Sequence, residues 1–182
     1  GSYSDVVVTG MVGDNTVSFV AVNGGQKTLR QTTFFGLLWK DVVAGTYTFS
    51  ATAQKRLKLG TTVSTTLQQL DSDPTQYRLK NLYAPGSHLK FTLTKNTGSD
   101  SYDSYDYVRV PGQALPLTYG TYGAISIRDI GYWKGDDSMA FSQDTGCYMY
   151  NNAHKYEITF AFQLYVAAGN LGNGWDYFEP AQ

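Results

Sequence analysis

The sequence predicts an all-β fold, an antiparallel two-sheet β-sandwich of the jelly-roll type with roughly ten strands and little or no helix. Aromatic residues make up 15% of the 182 residues, with 15 Tyr and 9 Phe, and aromatic side chains suit a pleated surface. Several segments alternate apolar and polar residues. Turn signals recur between them without the alternation of strands and long helices that marks parallel sheets.

Alternation places the strands of the first half of the chain. Apolar clusters on either side of residues 13–15 (Gly-Asp-Asn) predict an N-terminal hairpin that turns there. Residues 46–53 and 61–70 alternate and predict two strands. The apolar run at 29–42 fits either a buried strand or a short amphipathic helix, because so short a run does not decide between them.

Two alternating runs flank Pro85 and Gly86, which predict a turn. Leu89, Phe91 and Leu93 of the second run share one side of a strand. Since the other side carries polar residues, this strand is predicted to be half-buried.

Further strands are predicted over 107–110 and 122–130, followed by a loop over 131–143. Residues 147–150 and 153–166 read as a hairpin that turns at an Asn-Asn pair and sets Cys147 opposite Tyr156. The glycine-rich segment 169–174 is predicted to be a turn before the last strand. The clearest core face lies on the second arm of the hairpin and comprises Tyr156, Ile158, Phe160, Phe162, Leu164 and Val166.

Composition excludes some partners. The net charge is −1, from 14 basic and 15 acidic residues, so no nucleic-acid partner is expected. With Cys147 as the single cysteine, no intramolecular disulfide can form. No stretch reaches the ~18 apolar residues that would span a membrane. Membrane association is therefore expected only through a lipid anchor outside this sequence.

The string YRLKNLY at residues 77–83 carries a family resemblance. It resembles a signature of β-rich modules in exported Bacteroidetes lipoproteins, many of unknown function, although Leu82 stands where that signature has Pro. The accompanying strings, in chain order, are LQQ at 67–69, DP at 73–74, VRVPGQ at 108–113, the strand at 156–169 and WDYF at 175–178.

The resemblance covers residues 45–180 and implies a place at the outer-membrane surface or in the periplasm. We therefore expect a single domain over 1–182, in which 1–44 form an N-terminal β extension and 45–180 form the module. The resemblance also suggests an association with glycan or host-matrix handling.

Three acidic residues, Asp100, Asp103 and Asp106, recur at a spacing of three. Carboxylate oxygens on one loop are ligands that Ca²⁺ prefers, so these residues are the candidate metal ligands. The alternative is a solvated acidic loop, since the spacing differs from that of an EF-hand.

Flat aromatic rings next to polar groups indicate sugar binding, because the rings stack on the C–H faces of sugars. Trp133 follows Gly131 in a polar segment and is the best candidate, whereas Trp39 lies in an apolar run and is expected to be buried. The candidate ligand-binding residues are Trp133, Tyr132, Asp136, Asp137 and Tyr105.

Three functions follow as hypotheses. The leading one is a non-catalytic binding module of an exported lipoprotein, with a glycan or another extracellular partner. The second is a structural or adhesion domain that binds a protein, and the third is a glycoside hydrolase using dispersed carboxylates. A catalytic pair of Cys147 with His88 or His154 is weighed against a buried, inert cysteine, which is the more common state of a cysteine in an apolar strand.

Overall fold

The described part of the chain folds mainly into β-strands. The computed structural model describes residues 13–36, 38–98 and 102–182. Within these residues there are twelve strands and three short α-helices. The predicted β class is therefore confirmed.

The strands are β1 (Gly13–Asn23), β2 (Gln26–Gly36), β3 (Trp39–Thr48), β4 (Thr62–Leu70), β5 (Asp73–Ala84), β6 (Ser87–Thr94), β7 (Tyr105–Arg109), β8 (Gln113–Thr118), β9 (Ala124–Asp129), β10 (Cys147–Tyr150), β11 (Ile158–Val166) and β12 (Gly169–Pro180). The helices are α1 (Ala51–Leu57), α2 (Ile130–Lys134) and α3 (Asp137–Ala140), and Gly120–Tyr122 form a 3₁₀ turn.

The main sheet closes into an eight-stranded barrel rather than forming two stacked sheets. The strands follow the order β10, β7, β6, β5, β4, β3, β12 and β11, and β11 pairs back onto β10. The expected two-sheet sandwich is therefore corrected to a barrel. The closure depends on β11, which pairs with β12 along one edge and has more than one partner along the other.

That second edge of β11 is shared by two strands. Ile158 and Thr159 pair with β10, whereas residues 162–165 pair with β9. Strand β8 pairs with β9. As a result, the barrel wall branches at β11, with the β7–β10 pair on one side of the branch and the β8–β9 pair on the other.

The N-terminal hairpin is formed by β1 and β2, but the turn predicted at 13–15 is wrong. Those residues belong to β1, and the chain turns at Gly24 and Gly25, where φ is +55° and +84°. A two-residue loop with positive φ at both positions matches the twist of the flanking strands, and glycine adopts it without a Cβ penalty. The hairpin forms a sheet of its own. Within the run at 29–42, residues 29–36 end β2 and residues 39–42 begin β3. These residues are extended rather than helical, but they do not form one buried strand, since Leu29 is 56% exposed.

Side chains that alternate inward fill the barrel. Phe160 and Phe162 of β11 are each 1% exposed, as the alternation predicts. Thr159 and Gln163 are also buried, although their polar character pointed to solvent. Helix α2 packs on this outer face of β11, and Gln163 Oε1 accepts a 2.7 Å hydrogen bond from Arg128 Nε.

Helix α1 replaces the end of the strand predicted over 46–53. Tyr47 is buried as expected, but β3 ends at Thr48 and the chain turns into the helix. Ser50 caps α1, because its Oγ accepts a 3.2 Å hydrogen bond from Ala53 N. The buried face of α1 carries Ala53 and Leu57 and packs against β12.

The predicted loop over 131–143 contains α2 and α3. Each helix starts after an aspartate: Asp129 Oδ1 accepts from Tyr132 N at 2.8 Å, and Asp136 Oδ1 accepts from Ser138 N at 2.9 Å. Helices of this length hold too few turns for a 3.6-residue pattern to be visible. Among the described residues, no helix has the length and apolar character needed to cross a membrane.

The β10–β11 hairpin is present with a different register. Met149 pairs with Ile158, and Tyr156 has φ +70° in the connection between the strands, so the expected pairing of Cys147 with Tyr156 is wrong. Residues 169–174, predicted as a turn, begin β12 and pair with β11. A Cβ at Gly174 would lie 2.6 Å from Ser50 Oγ, so the strand requires glycine there.

One carboxylate is buried inside the barrel. Asp176 is 1% exposed, its Oδ2 accepts a 3.0 Å hydrogen bond from the Tyr47 hydroxyl, and its Oδ1 accepts a 2.7 Å bond from Ser50 N. Burial raises the pKa of Asp176 to about 6, and the bonds from Ser50 and Tyr47 only partly oppose that rise. The folded protein therefore holds a proton on Asp176 more tightly than the unfolded chain does.

Because the pKa of Asp176 is raised in the folded protein, the free energy of unfolding should depend on pH, and Asp176→Asn should remove this dependence. The contribution of the protonated Asp176 carboxyl to the free energy of unfolding is fully present below its ordinary pKa of 3.8 and is lost as the pH rises through about 6. A difference of about 2 in pKa corresponds to about 3 kcal/mol. Urea unfolding from pH 4 to pH 8 should therefore show Asp176→Asn gaining stability over the wild type as the pH rises. A difference between the two proteins that stays constant over this range would contradict the assignment.

Candidate functional site

Aromatic side chains form a continuous surface on the outer face of β7 and β10. Strand alternation directs Tyr105 and Tyr107 outward. The antiparallel register sets Tyr150 and Tyr148 of β10 opposite them. Two further rings come from the segment that carries α2 and α3. We call this surface the aromatic strip, and it comprises Tyr132, Phe141, Tyr107, Tyr105, Tyr148 and Tyr150.

Neighbouring rings of the β-strand part lie in direct contact. The ring centroid of Tyr105 is 5.5 Å from those of Tyr107 and Tyr148, and the centroid of Tyr148 is 5.6 Å from that of Tyr150. The Phe141 ring lies 5.5 Å from Tyr107. These edge-to-face and tilted arrangements are favourable for aromatic pairs. The rings therefore hold one another in place and leave a partly exposed apolar surface edged with hydroxyls.

A single guanidinium joins this surface to α2. Arg109 Cζ lies 4.4 Å from the ring centroid of Tyr132 and 5.3 Å from that of Phe141. Its Nε donates to Asp129 Oδ2 at 3.0 Å and its Nη1 donates to Asp137 Oδ1 at 2.9 Å. Because two carboxylates fix the guanidinium, the two rings stack on a cation whose position is set.

Asp129 is the buried centre of this junction, with 1% of its surface exposed. Besides the bond from Arg109, its Oδ2 accepts from Val110 N at 2.8 Å. Its Oδ1 accepts from Tyr132 N at 2.8 Å at the start of α2. One carboxylate therefore ties together the end of β7, the end of β9 and the first turn of α2.

The residues predicted to bind a ligand fall into different places. Tyr105 and Tyr132 belong to the aromatic strip, and Asp137 forms the exposed ion pair beside it. Asp136 instead caps α3, where its Oδ1 accepts from the Ser138 hydroxyl at 2.6 Å and from Ser138 N at 2.9 Å. These bonds lower the pKa of the Asp136 carboxyl.

Trp133 lies on the other side of α2 from Tyr132. Together with Trp175 it lines a cleft of about 240 Å³, which we call the tryptophan cleft. The ammonium of Lys134 is 4.0 Å from the Trp133 ring centroid. Polar side chains lining the same cleft are Lys134, Asp144, Thr145 and Asn173. Helix α2 thus separates two aromatic surfaces and contributes one ring to each.

Asp103 and Asp106, two of the three aspartates predicted as calcium ligands, have separate surroundings. Asp103 Oδ1 lies 3.5 Å from His154 Nε2. Asp106 is 9% exposed, and its Oδ1 accepts a 3.1 Å hydrogen bond from Asn96 N. Asp100 lies outside the described residues. Within the part of the chain that is described, no group of three or more His, Cys, Asp or Glu side chains is arranged to hold a metal ion, so the structure adds no support for calcium.

Cys147 and His154 have different partners. The buried thiol of Cys147 accepts from Ala161 N and donates to Ala161 O, both at 3.2 Å. Burial raises the pKa of this thiol far above its ordinary range, so the reactive thiolate is disfavoured. The His154 ring is half-exposed and lies 3.2 Å from Glu157 Oε1. This geometry favours the interpretation of Cys147 as a buried, inert side chain.

Sequence reasoning missed Tyr107, Tyr148 and Tyr150 as members of the site. Their spacing of two within predicted strands was the available signal, because it puts them on the face that carries Tyr105. Trp39 was expected to be buried and is half-buried, with the Arg78 guanidinium 4.5 Å from its ring centroid.

Comparisons of the chain with protein-family models, with curated proteins and with solved structures found no match.

We expect the two carboxylates that bind Arg109, those of Asp129 and Asp137, to contribute unequally to stability. Asp129→Ala should lower the free energy of unfolding by about 3 to 5 kcal/mol, because it leaves Arg109 and Val110 N without their buried partner. Asp137→Ala is the matched control. Its side chain is 74% exposed, so its loss should cost only about 0 to 1 kcal/mol. Denaturant unfolding measures both, and equal effects would contradict this account of the junction.

Proposed function

We propose that the protein is a non-catalytic binding module whose ligand is a glycan held on the aromatic strip. The observation that carries this proposal is the series of contacting rings from Phe141 to Tyr150, which the Arg109 guanidinium extends to Tyr132. The sequence had pointed separately to Tyr132 and to Tyr105. Both lie on this one surface, which gives it the length to contact several sugar units.

The chemistry of the surface suits sugars. Tyrosine rings offer flat faces for the C–H surfaces of a sugar, and polar groups beside them can hold its hydroxyls. Glu157 and Asp103 border one end through His154, and His154 lies 6.0 Å from the Tyr150 ring. Asp137 borders the other end. The tryptophan cleft is a second place where the same chemistry is available.

We further propose that the module is exported and acts at the outer-membrane surface or in the periplasm. The support for this is the resemblance of YRLKNLY at 77–83 and of its accompanying strings to modules of exported lipoproteins.

Binding to a broad panel of immobilised glycans, measured with Tyr105→Ala, Tyr148→Ala and Trp133→Ala, tests the proposal. Losing a stacked ring should weaken binding roughly tenfold, equivalent to about 1.4 kcal/mol. Losses confined to the two tyrosine variants assign binding to the aromatic strip, and a loss confined to Trp133→Ala assigns it to the tryptophan cleft. Tyr122→Ala is the control, since Tyr122 is 59% exposed and lies outside both surfaces. A wild-type protein that binds nothing on the panel rules out the glycan function.

A second candidate function, binding of a protein partner, is favoured by the β1–β2 hairpin. Val20, Val22 and Leu29 are 57%, 64% and 56% exposed, and Val20 pairs with Leu29 across the hairpin. Among the described residues neither strand has a third partner. A two-stranded ribbon is marginally stable by itself, so packing the face that carries Val20 and Leu29 against the same face of a second copy of this chain would stabilise it.

Sedimentation over a range of protein concentrations tests this second candidate. The wild type should associate into dimers, and the double variant Val20→Lys with Leu29→Lys should remain monomeric because a charge in the interface is costly. Thr28→Lys, an exposed change on the opposite face of the hairpin, is the matched control and should still associate. A wild type that stays monomeric at all concentrations excludes this mode of binding.

A further inference from the structure

The barrel wall has a gap between β6 and β8. Strand β6 pairs with β7 only from Thr92 to Thr94, and the rest of its edge faces β8. The side-chain amide of Gln113 spans this space, accepting from Lys90 N at 3.0 Å and donating to Lys90 O at 2.8 Å. A cavity of about 430 Å³ opens there, lined by Gly86, Ser87, His88, Lys90, Gln113, Ala114, Leu115 and Pro116. We call it the β6–β8 gap.

Proline and glutamine explain why the gap stays open. Pro116 lies within β8 and has no N–H to offer a neighbouring strand. Gln113 Nε2 also contacts Pro111 O at 3.3 Å. Because Gln113 is the first residue of β8, its amide holds β8 at one end only. Only a side chain therefore bridges the wall at this point. A regular ladder of backbone hydrogen bonds would leave no room for a ligand there.

Basic groups dominate the surroundings of the gap. His88 and Lys90 line it, and no acidic residue does. Arg78 is the cross-strand partner of Lys90 on β5, and Lys80 follows on the same strand. Within the described residues none of these four side chains forms an ion pair. Arg78 is engaged elsewhere, because its Nε donates to Gln68 Oε1 at 2.7 Å and Asp41 acts on it. The charges of Lys80 and Lys90 are therefore left without an acidic partner.

The His88 ring is held in one orientation. Its Nδ1 accepts a 3.1 Å hydrogen bond from Asn81 N, which leaves the proton of the neutral ring on Nε2. Burial, Arg78, Lys90 and Lys80 all lower the pKa of His88, so the ring is neutral at neutral pH. Asn81 itself has φ +54°, and its Oδ1 accepts from Gly86 N at 2.9 Å. The β5–β6 turn thus fixes the orientation of a donor that lines the same cavity as Lys90.

We propose that the β6–β8 gap binds an anionic group of the carboxylate, sulfate or phosphate type. Lys90 Nζ and His88 Nε2–H are its direct donors, and Lys80 and Arg78 strengthen the local positive potential. Such a group would supply the negative charge that this part of the wall lacks. The proposal concerns a site other than the aromatic strip and does not depend on glycan binding there.

The two histidines of the chain provide the experiment. The ring signals of His88 and His154 are followed by NMR in the full chain while sulfate, phosphate or glucuronate replaces chloride at constant ionic strength. An anion in the gap should shift the His88 signals saturably and move the His88 titration midpoint to higher pH, because it stabilises the imidazolium. His154, between Asp103 and Glu157, should not respond. The anion whose effect on the His88 signals saturates at the lowest concentration identifies the type of group that the gap prefers.

A matched pair of lysine variants completes the test. Lys90→Gln should weaken anion binding roughly fivefold, the equivalent of one exposed ion pair of about 1 kcal/mol. Lys55→Gln removes a charge that is also exposed, on α1 and outside the gap, and this variant should bind as the wild type does. The proposal is overturned if His88 responds no more than His154, or if Lys90→Gln binds as tightly as Lys55→Gln.

Discussion

The buried ion pair between Arg109 and Asp129 is the interaction on which the rest of the structure depends. It lies where the barrel wall branches: Asp129 N donates to Val110 O at 2.9 Å, and its carboxylate accepts from both Arg109 and Val110 N. Strands β7 and β9 are thereby joined where each of them ends. Because the same carboxylate caps α2, the position of the barrel branch also decides where Tyr132 and Trp133 lie. A buried pair of this kind stabilises only when its remaining hydrogen-bonding capacity is filled, and the two backbone N–H groups fill it.

Much of the fold could be predicted from local pattern, and the parts that could not depend on distant contacts. Alternation identified β4, β6 and the inward face of β11, because burial of one strand face leaves a period of two in the sequence. Closure of the barrel left no such trace. It depends on β11 sharing one edge between β10 and β9, and backbone pairing of that kind is compatible with nearly any side chain. The N-terminal turn shows a different limit. Two glycine-containing turns were available, and the one with glycine at both central positions formed.

The candidate site was predictable to a similar degree. Tyr105, Tyr132 and Trp133 were identified because aromatic residues in polar segments are unusual, and each lies on an aromatic surface. Asp136 was identified for its charge alone, but it is a helix cap. An aspartate two residues before Ser138 is a signal for a helix cap. It was not recognised because so short a helix shows no visible periodicity. Arg109 was missed because its partners, Asp129 and Asp137, lie far from it in the sequence and are brought together only by the branch.

The segment from Asp73 to Leu93 links the fold to the outer surface of the wall. Tyr77 and Leu79 are buried, while Arg78 and Lys80 of the same strand face outward. The strand therefore needs apolar residues at alternate positions for packing and leaves the positions between them to set surface charge. On β6, Thr92 pairs with Arg109 at the margin of the aromatic strip, and Lys90 lies two residues further along, about 7 Å at the rise of a β-strand. The outer wall thus changes from aromatic to basic within one strand. The alternation of β6 sets both its buried face and its outer face. A change that shifted the register of β6 by one residue would therefore bury Lys90 and expose Leu89. The same pattern thus constrains folding and surface chemistry together.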